Sequence, residues 1–250
     1  MEFKSWETIR MQIKAVLFDM FDTLMIIEKD QEFYGPALER MHKFLTTKGV
    51  DVSFSQFRQA YLKARDALYV IADANFEEPH FNVRISDALK LLGYNYEVSS
   101  PIVVEATSEF CEEFLKFVHV DEHAQAVLRG LHGKYKLGII SNFAIPECVL
   151  KLLKSHGLDH LFDLIVISGA VNKRKPGREI FESTLVALGV SAAETVFVGD
   201  TADADIGGAK SVGMRAIYIK RRVELGLGKV CPDQVIESLA DLPAALERCQ

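Results

Sequence analysis

The 250-residue sequence has few cysteines, and their spacing excludes the common cysteine-based sites. Its four cysteines are scattered, with no CxxC pair: Cys111, Cys148, Cys231 and Cys249. This spacing fits reduced thiols better than a disulfide framework or a zinc site. We therefore expect a cytoplasmic protein.

The sequence also lacks long apolar runs and an excess of positive charge. No stretch approaches the ~20 apolar residues that a membrane-spanning helix needs, and the N-terminal MEFKSWETIRMQ is too polar for a secretory signal. The net charge of −6 disfavours nucleic acid, because surfaces that bind it are usually basic. We interpret the one basic cluster, Lys220-Arg221-Arg222, as a solvated loop. A small-molecule substrate is the expected partner, and the oligomeric state is not indicated.

The hydrophobic pattern in the first half of the chain changes from a strand to helices. The run from Ile13 to Phe18 is short, apolar and followed by charge, which is typical of a strand buried on both faces. Residues 31–119 carry apolar side chains at three- and four-residue intervals, which predicts helices almost throughout. Within this stretch Gly49 is a candidate helix end and Ser53 a candidate N-cap.

From about residue 124, short apolar runs alternate with helical patterns. The runs KLGIISN, DLIVISG, TVFVGD and RAIYI predict strands, and the tail predicts an edge strand and a closing helix. Such alternation indicates an α/β fold, a doubly wound parallel sheet with helices on both faces. The predicted divisions are a core of 12–26 and 124–250, an all-helical insertion of 27–123 and an N-terminal extension of 1–11.

Polar side chains lie at or just beyond the ends of four predicted strands. They are Asp19, then Ser141 and Asn142, then Lys175, and finally Asp200 and Asp205. In doubly wound sheets, ligands bind outside the carboxyl ends of the strands. We therefore expect these six side chains to converge on one crevice.

The residue types in this crevice suit phosphoryl transfer. Asp19, Asp200 and Asp205 would repel one another unless a cation compensates their charge, and Mg²⁺ prefers oxygen ligands. An aspartate can act as a nucleophile, and a lysine ammonium can hold it ionised and neutralise charge in the transition state. The set predicts transfer of a phosphoryl group to aspartate and then to water.

Four segments resemble, in order and spacing, the four motifs of the haloacid dehalogenase superfamily: FDMFDTL, IISN, KRKPGREIF and VGDTADADIGGAK. The resemblance covers the whole core, and the helical insertion is similar to that family's type-1 cap. It implies a Rossmann-like fold in which Asp19 is the nucleophile, Ser141 binds the transferring group and Lys175 orients and neutralises.

The resemblance also implies a cofactor and further contacts to the substrate. The cofactor is Mg²⁺, and the implied ligands are Asp19, the backbone carbonyl of Phe21, Asp200 and Asp205, the last either directly or by holding another ligand. From their positions beside the crevice, Thr23 and Asn142 are also candidates for binding the substrate: we expect Thr23 to bond the nucleophile or the adjacent backbone, and Asn142 either to position the substrate or only to fix its loop.

The first motif departs from the family's phosphatases at one position. Those enzymes carry a second aspartate two residues after the nucleophile, where it protonates the leaving oxygen; here that residue is Phe21. Asp22 follows one residue too late, and because side chains alternate along an extended segment it faces the other way. We interpret Asp22 as structural.

Three interpretations of Phe21 stay open. The protein is a Mg²⁺-dependent phosphatase that activates its leaving group differently, for example with a residue of the helical insertion, or that acts on a good leaving group such as an acyl phosphate. Otherwise it is a metal-independent 2-haloacid dehalogenase, or a catalytically weak protein that binds a phosphorylated ligand or a partner. A phosphonate hydrolase is a further alternative, because that branch also lacks the second aspartate. Asp200 favours the phosphatase, because the dehalogenases replace that region with a metal-free turn. They also carry a tyrosine where this chain has Phe181.

Overall fold

The computed structural model describes residues 12–28, 32–221 and 230–249, so the predicted extension 1–11 lies outside the described residues. The strands are β1 Ala15–Phe18, β2 Met25–Ile27, β3 Val118–Val120, β4 Lys136–Ser141, β5 Leu164–Ile167, β6 Thr195–Gly199, β7 Arg215–Ile219 and β8 Gln234–Ile236. The α-helices are α1 Tyr34–Thr47, α2 Phe54–Asn75, α3 Phe81–Leu91, α4 Pro101–Phe114, α5 Ala124–Leu131, α6 Pro146–Ser155, α7 Ser168–Val171, α8 Arg178–Leu188, α9 Gly208–Ser211 and α10 Leu242–Arg248. Within the described ranges, no helix combines the length and the apolar character needed to cross a bilayer.

Six strands form one parallel sheet in the order β5-β4-β1-β6-β7-β8. The central strand β1 is fully buried, and its residues alternate between two cores: Val16 and Phe18 pack on one side of the sheet and Leu17 on the other. Burial on both faces explains the uninterrupted apolar run. Because β1 lies between β4 and β6, the direction of the strand order reverses there, and ligand sites form beside such a reversal. The predicted doubly wound α/β fold is confirmed.

Helices α1 to α4, which we call the helical insertion, lie between β2 and β3. Helix α1 packs on α4, and α2 packs on α3. The Ser53 hydroxyl accepts a hydrogen bond from Gln56 N, and the Gln56 side chain accepts one from Ser53 N, so Ser53 caps α2 as predicted. Gly49 follows the end of α1 with a φ of 91°, a conformation that favours glycine.

The helical pattern of residues 31–119 ends earlier than predicted. Val118–Val120 pair antiparallel with Met25–Ile27, so that β2 and β3 form a two-stranded ribbon on either side of the helical insertion. Val118 is buried and His119 is exposed, which is the alternation of a strand. A strand of three residues is too short to be separated by periodicity from the helix before it.

Candidate active site

The carboxyl end of β1 places Asp19 beside a buried lysine. The Nζ atom of Lys175 lies 2.6 Å from Asp19 Oδ1 and 2.6 Å from Asp205 Oδ1. The Lys175 side chain is only 1% exposed, and its ammonium also lies 5.2 Å from the centroid of the Phe197 ring. The lysine therefore compensates part of the charge of two buried carboxylates, which would otherwise be strongly unfavourable.

Asp200 completes a group of three carboxylates at the ends of β1 and β6. One oxygen of each of Asp19, Asp200 and Asp205 lies within 4.8 Å of the other two. Lys175 contacts two of these three carboxylates, Asp19 and Asp205. An all-oxygen, negatively charged donor set fits a hard divalent cation such as Mg²⁺.

The turn after β6 holds Asp205 against the end of the strand. Thr201 N donates a hydrogen bond of 2.9 Å to Asp205 Oδ2, and Ala202–Gly207 form a π-helical turn. A Cβ atom at Gly199 would lie 2.5 Å from the same oxygen. Any side chain at Gly199 would therefore displace the Asp205 carboxylate, which explains why the strand ends in glycine.

Asn142 fixes the backbone of the loop that carries the buried lysine. Its Nδ2 donates to Lys175 O and its Oδ1 accepts from Lys175 N, both at 2.9 Å. Asn142 also lines the cavity described below. Through these two hydrogen bonds Asn142 positions Lys175. The predicted contact of Asn142 with substrate stays a prediction.

Two buried hydroxyl groups have no hydrogen-bond partner among the described residues, Ser141 Oγ at the end of β4 and Thr23 Oγ1. An unsatisfied buried hydroxyl is costly, and a phosphoryl oxygen beside Ser141 would satisfy it. The Thr23 carbonyl accepts a hydrogen bond from Arg221 Nη2. The predicted contact of Thr23 with substrate stays a prediction.

The charged side chains of the site change one another's pKa values. Burial raises the pKa of Asp19 to about 7; Lys175 opposes the increase and Asp205 adds to it. Burial alone would lower the pKa of Lys175, but the negative charges of Asp19 and Asp205 outweigh it, so this pKa is raised. The lysine is therefore charged at neutral pH, and a bound cation would favour the ionised form of Asp19.

Phe21, where the second acid is missing, joins the core to the helical insertion. The centroid of its ring lies 4.8 Å from that of Phe143 in the core and 5.5 Å from that of Phe114 in α4. Asp22 does not replace the acid, because its Oδ1 accepts a hydrogen bond of 3.1 Å from Ile27 N, as expected of a structural residue. An apolar ring therefore occupies the position where the family's phosphatases are expected to carry the acid.

The prediction that Lys220-Arg221-Arg222 forms a solvated loop is wrong for Arg221. Its Nη2 donates to Thr23 O at 2.9 Å and to Asp121 Oδ2 at 2.7 Å, and its Nε donates to Asp22 O at 3.3 Å. Lys220 is exposed, and Arg222 lies outside the described residues. The carboxylate partner of Arg221 is 100 residues away in the chain, so local composition carried no signal of the contact.

A cavity of about 410 Å³ lies between the helical insertion and the core. On the core side the cavity is lined by Asn142, which directly follows Ser141 in the chain, and by Arg174, which directly precedes Lys175. The three carboxylates are not among the lining residues, and the link to the site is Asn142, which is hydrogen-bonded to the backbone of Lys175. On the other side Arg84 faces it, a residue that the sequence patterns did not single out.

Two curated proteins are similar to this chain over different lengths. Glyceraldehyde 3-phosphate phosphatase of Pyrococcus furiosus is 30% identical over 245 residues, which cover 95% of this chain and 94% of that protein. Phosphoserine phosphatase of Thermus thermophilus is 33% identical over 119 residues, 48% of this chain. That match spans less than half, 46%, of the phosphoserine phosphatase.

A solved structure and a family pattern also match most of the chain. The 2-haloacid dehalogenase of Pseudomonas syringae superposes with a TM-score of 0.75 at 24% identity, covering 96% of this chain and 100% of that one. At that identity the likeness concerns the fold. The pattern of the haloacid dehalogenase-like hydrolases matches residues 13–213, which include the three carboxylates and Lys175. The chain is a member of the haloacid dehalogenase-like hydrolase family.

Proposed function

We propose that this hydrolase is a Mg²⁺-dependent phosphatase that acts on a small phosphorylated metabolite through an aspartyl-phosphate at Asp19. The observation that carries the proposal is the group of Asp19, Asp200 and Asp205, in which the buried ammonium of Lys175 contacts Asp19 and Asp205. The phosphatase names of the two similar proteins support the same reaction class.

The proposal assigns the metal to this chain's own oxygen atoms. Asp19, Asp200, Asp205 and the backbone carbonyl of Phe21 would hold Mg²⁺. When bound, the ion would neutralise charge on the phosphoryl oxygens and reduce their repulsion from the carboxylates. Lys175 supplies the remaining positive charge from the buried side of Asp19.

The reaction then consists of two displacements at phosphorus. A carboxylate oxygen of Asp19 attacks, the bond to the ester oxygen breaks, and the departing alcohol takes its proton from solvent, because Phe21 has none to give. Lys175 and the Ser141 hydroxyl stabilise the charge on the phosphoryl group. Water then attacks phosphorus, which releases inorganic phosphate and restores the Asp19 carboxylate.

The absence of an acid at Phe21 bears on which substrates react well. General acid help is typically worth ~10²–10⁴ in rate, and mostly for poor leaving groups. Aryl and acyl phosphates, whose leaving oxygen needs little protonation, are therefore expected to react faster than alkyl phosphates. The position itself is occupied by an aromatic ring that contacts Phe143 and Phe114.

A metal-independent 2-haloacid dehalogenase is the second candidate, and Phe21 is the observation that favours it. Asp200 argues against it, because it adds a third carboxylate to the group. Phe181 argues against it too: it stands where the family's dehalogenases carry a tyrosine, and its buried ring packs 5.4 Å from that of Phe197.

The test is a screen of phosphate esters and acyl phosphates with Mg²⁺ or with EDTA. We expect phosphate release that needs Mg²⁺ and is lost in Asp19→Asn. The matched control is Asp203→Asn, an exposed aspartate of the same motif, which should keep the activity. Activity that survives both EDTA and Asp19→Asn would contradict the proposal. Metal-free chloride release from 2-chloropropionate would support the second candidate.

A further inference from the structure

Arg84 is a buried cation that forms no salt bridge with any residue of the described ranges. It lies on α3, is 8% exposed and lines the cavity between the helical insertion and the core. Its Nη1 donates to the hydroxyls of Tyr61 at 3.1 Å and Tyr34 at 3.3 Å. Its Nε is buried and has no hydrogen-bond partner among the described residues.

The side chains in contact with Arg84 are aromatic and neutral. Its guanidinium carbon lies 5.0 Å from the ring centroid of Phe81, 5.5 Å from that of Tyr69 and 5.7 Å from that of Tyr61. Burial raises the pKa of Tyr61, so this phenol does not become an anion at neutral pH. Because a guanidinium stays charged in proteins, a positive charge is held in a mostly apolar wall.

Two other arginines of the helical insertion, Arg40 and Arg65, are each paired with a carboxylate. Arg40 Nε lies 2.6 Å from Glu109 Oε2, and Arg65 Nη2 lies 2.7 Å from Asp66 Oδ1. Among the described residues no carboxylate forms a salt bridge with Arg84. A buried cation left unpaired is costly, so the position is best explained by an anion that enters the cavity.

The two acidic residues of the cavity do not fill this role. Glu78 accepts a hydrogen bond from Ser168 Oγ, and one of its oxygens lies 4.0 Å from Arg174 Nη1, so its charge is already compensated. Asp73 is exposed at the cavity and forms no salt bridge with Arg84.

We propose that Arg84 binds a second anionic group of the substrate, a carboxylate or a second phosphate, while the reacting phosphate lies at Asp19. This inference rests on the proposed function, since it names the class of phosphate ester. The cavity of about 410 Å³ has the size of a small-ligand site. The rings of Tyr34, Phe81 and Phe110 that line it would contact an apolar or planar middle part of the substrate.

The test uses two aryl phosphates that differ in one charge, para-carboxyphenyl phosphate and its neutral isostere para-carbamoylphenyl phosphate. A charge-assisted contact is worth about 10- to 100-fold in binding, so the wild type should prefer the carboxylate by at least about tenfold in kcat/KM. Phenylene bisphosphate tests a second phosphate at the same position. Arg84→Gln should remove the preference, mainly through KM, and Arg84→Lys should restore part of it.

The control variant is Arg65→Gln, which removes the other arginine stacked on Tyr69, 5.7 Å from its ring centroid, and should keep the preference. Equal rates on both esters in the wild type would overturn the inference. So would an Arg84→Gln variant that loses activity on both esters alike, since this would make Arg84 a structural residue.

A binding measurement separates this inference from the proposed reaction. Calorimetry with para-carboxyphenylphosphonate and para-carbamoylphenylphosphonate needs no turnover. If the wild type hydrolyses no ester but binds the carboxylate more tightly in an Arg84-dependent way, the reaction is wrong and the anion site stands. If both phosphonates bind equally while esters are hydrolysed, the anion site is wrong and the reaction stands.

Discussion

Lys175 and Asp19 are 156 residues apart in the chain, yet the ammonium of one lies 2.6 Å from the carboxylate of the other at the end of the central strand. The lysine reaches Asp205 at the same distance. The contact joins the fold to the chemistry, because the charge that makes burial of two carboxylates tolerable also favours the ionised form of the nucleophile.

Removing the ammonium should destabilise the metal-free protein. We expect Lys175→Met to lower the free energy of unfolding by about 3–5 kcal/mol at pH 8, because two buried carboxylates lose their counter-ion. The loss should be smaller at pH 5, which lies below the raised pKa of Asp19. There the folded state binds a proton at this carboxyl, and the stability that this proton contributes is lost as the pH rises through the folded-state pKa.

Urea unfolding in EDTA at both pH values measures this difference. Lys173→Met is the control, since Lys173 is half-buried and its Nζ lies 3.0 Å from the exposed Glu179 carboxylate. This change should cost less than about 1 kcal/mol. A loss in Lys175→Met that is equally large at pH 5 and pH 8 would contradict the electrostatic explanation.

Binding of Mg²⁺ should weaken in acid. Because the pKa of Asp19 is raised to about 7, a proton competes with the ion for this carboxylate below that pH. One displaced proton predicts an affinity about tenfold lower at pH 6 than at pH 8. Calorimetry on the wild type and on Asp203→Asn checks this. The same affinity at both pH values would show that Asp19 is not a ligand.

An acid introduced at position 21 should help poor leaving groups selectively. We expect Phe21→Asp to raise the ratio of the alkyl to the aryl phosphate hydrolysis rate by at least about tenfold. This is a conservative figure, because general acid catalysis is typically worth at least ~10² in rate. Both Phe21→Asp and Phe21→Leu lose the ring contacts with Phe143 and Phe114, so both should be destabilised. Steady-state rates on both ester types measure this ratio. An equal ratio in Phe21→Asp and Phe21→Leu would show that the missing acid does not limit the hydrolysis of alkyl phosphates.

Arg221 should couple the segment after β1 to the chain before α5. We expect Arg221→Gln to lower the free energy of unfolding by about 1–3 kcal/mol, because two carbonyls and the Asp121 carboxylate lose a charged donor. A double-mutant cycle with Asp121→Asn, followed by thermal unfolding, should give a coupling of at least about 0.5 kcal/mol. Strict additivity would mean that the ion pair contributes nothing.

The core and most of its site could be predicted from the sequence for a simple geometric reason. The carboxyl ends of parallel strands meet at one edge, so a polar residue after each apolar run marks a common crevice. Asp19, Lys175 and Asp205 follow this rule, and the structure brings them together. Short-range patterns also sufficed for the Ser53 cap, which depends on a residue three positions away.

The cavity side of the site depends on contacts that no local pattern encodes. Arg84 is held by Tyr34 and Tyr61, 50 and 23 residues away. One signal was present: Phe81, Arg84 and Ala88 are three and four residues apart, so the arginine lies on the buried face of α3. A charged residue on the apolar face of a helix is therefore the sequence feature that could have identified Arg84.

The most direct test asks whether Asp19 itself carries the phosphoryl group. The protein is mixed with Mg²⁺ and an aryl or acyl phosphate, quenched within one turnover and reduced with borohydride, and its peptides are analysed by mass spectrometry. We predict a modified Asp19 in the wild type and none in Asp19→Asn, which should also release no phosphate. Phosphate release at the wild-type rate by Asp19→Asn, or a phosphoryl group on another residue, would contradict the mechanism.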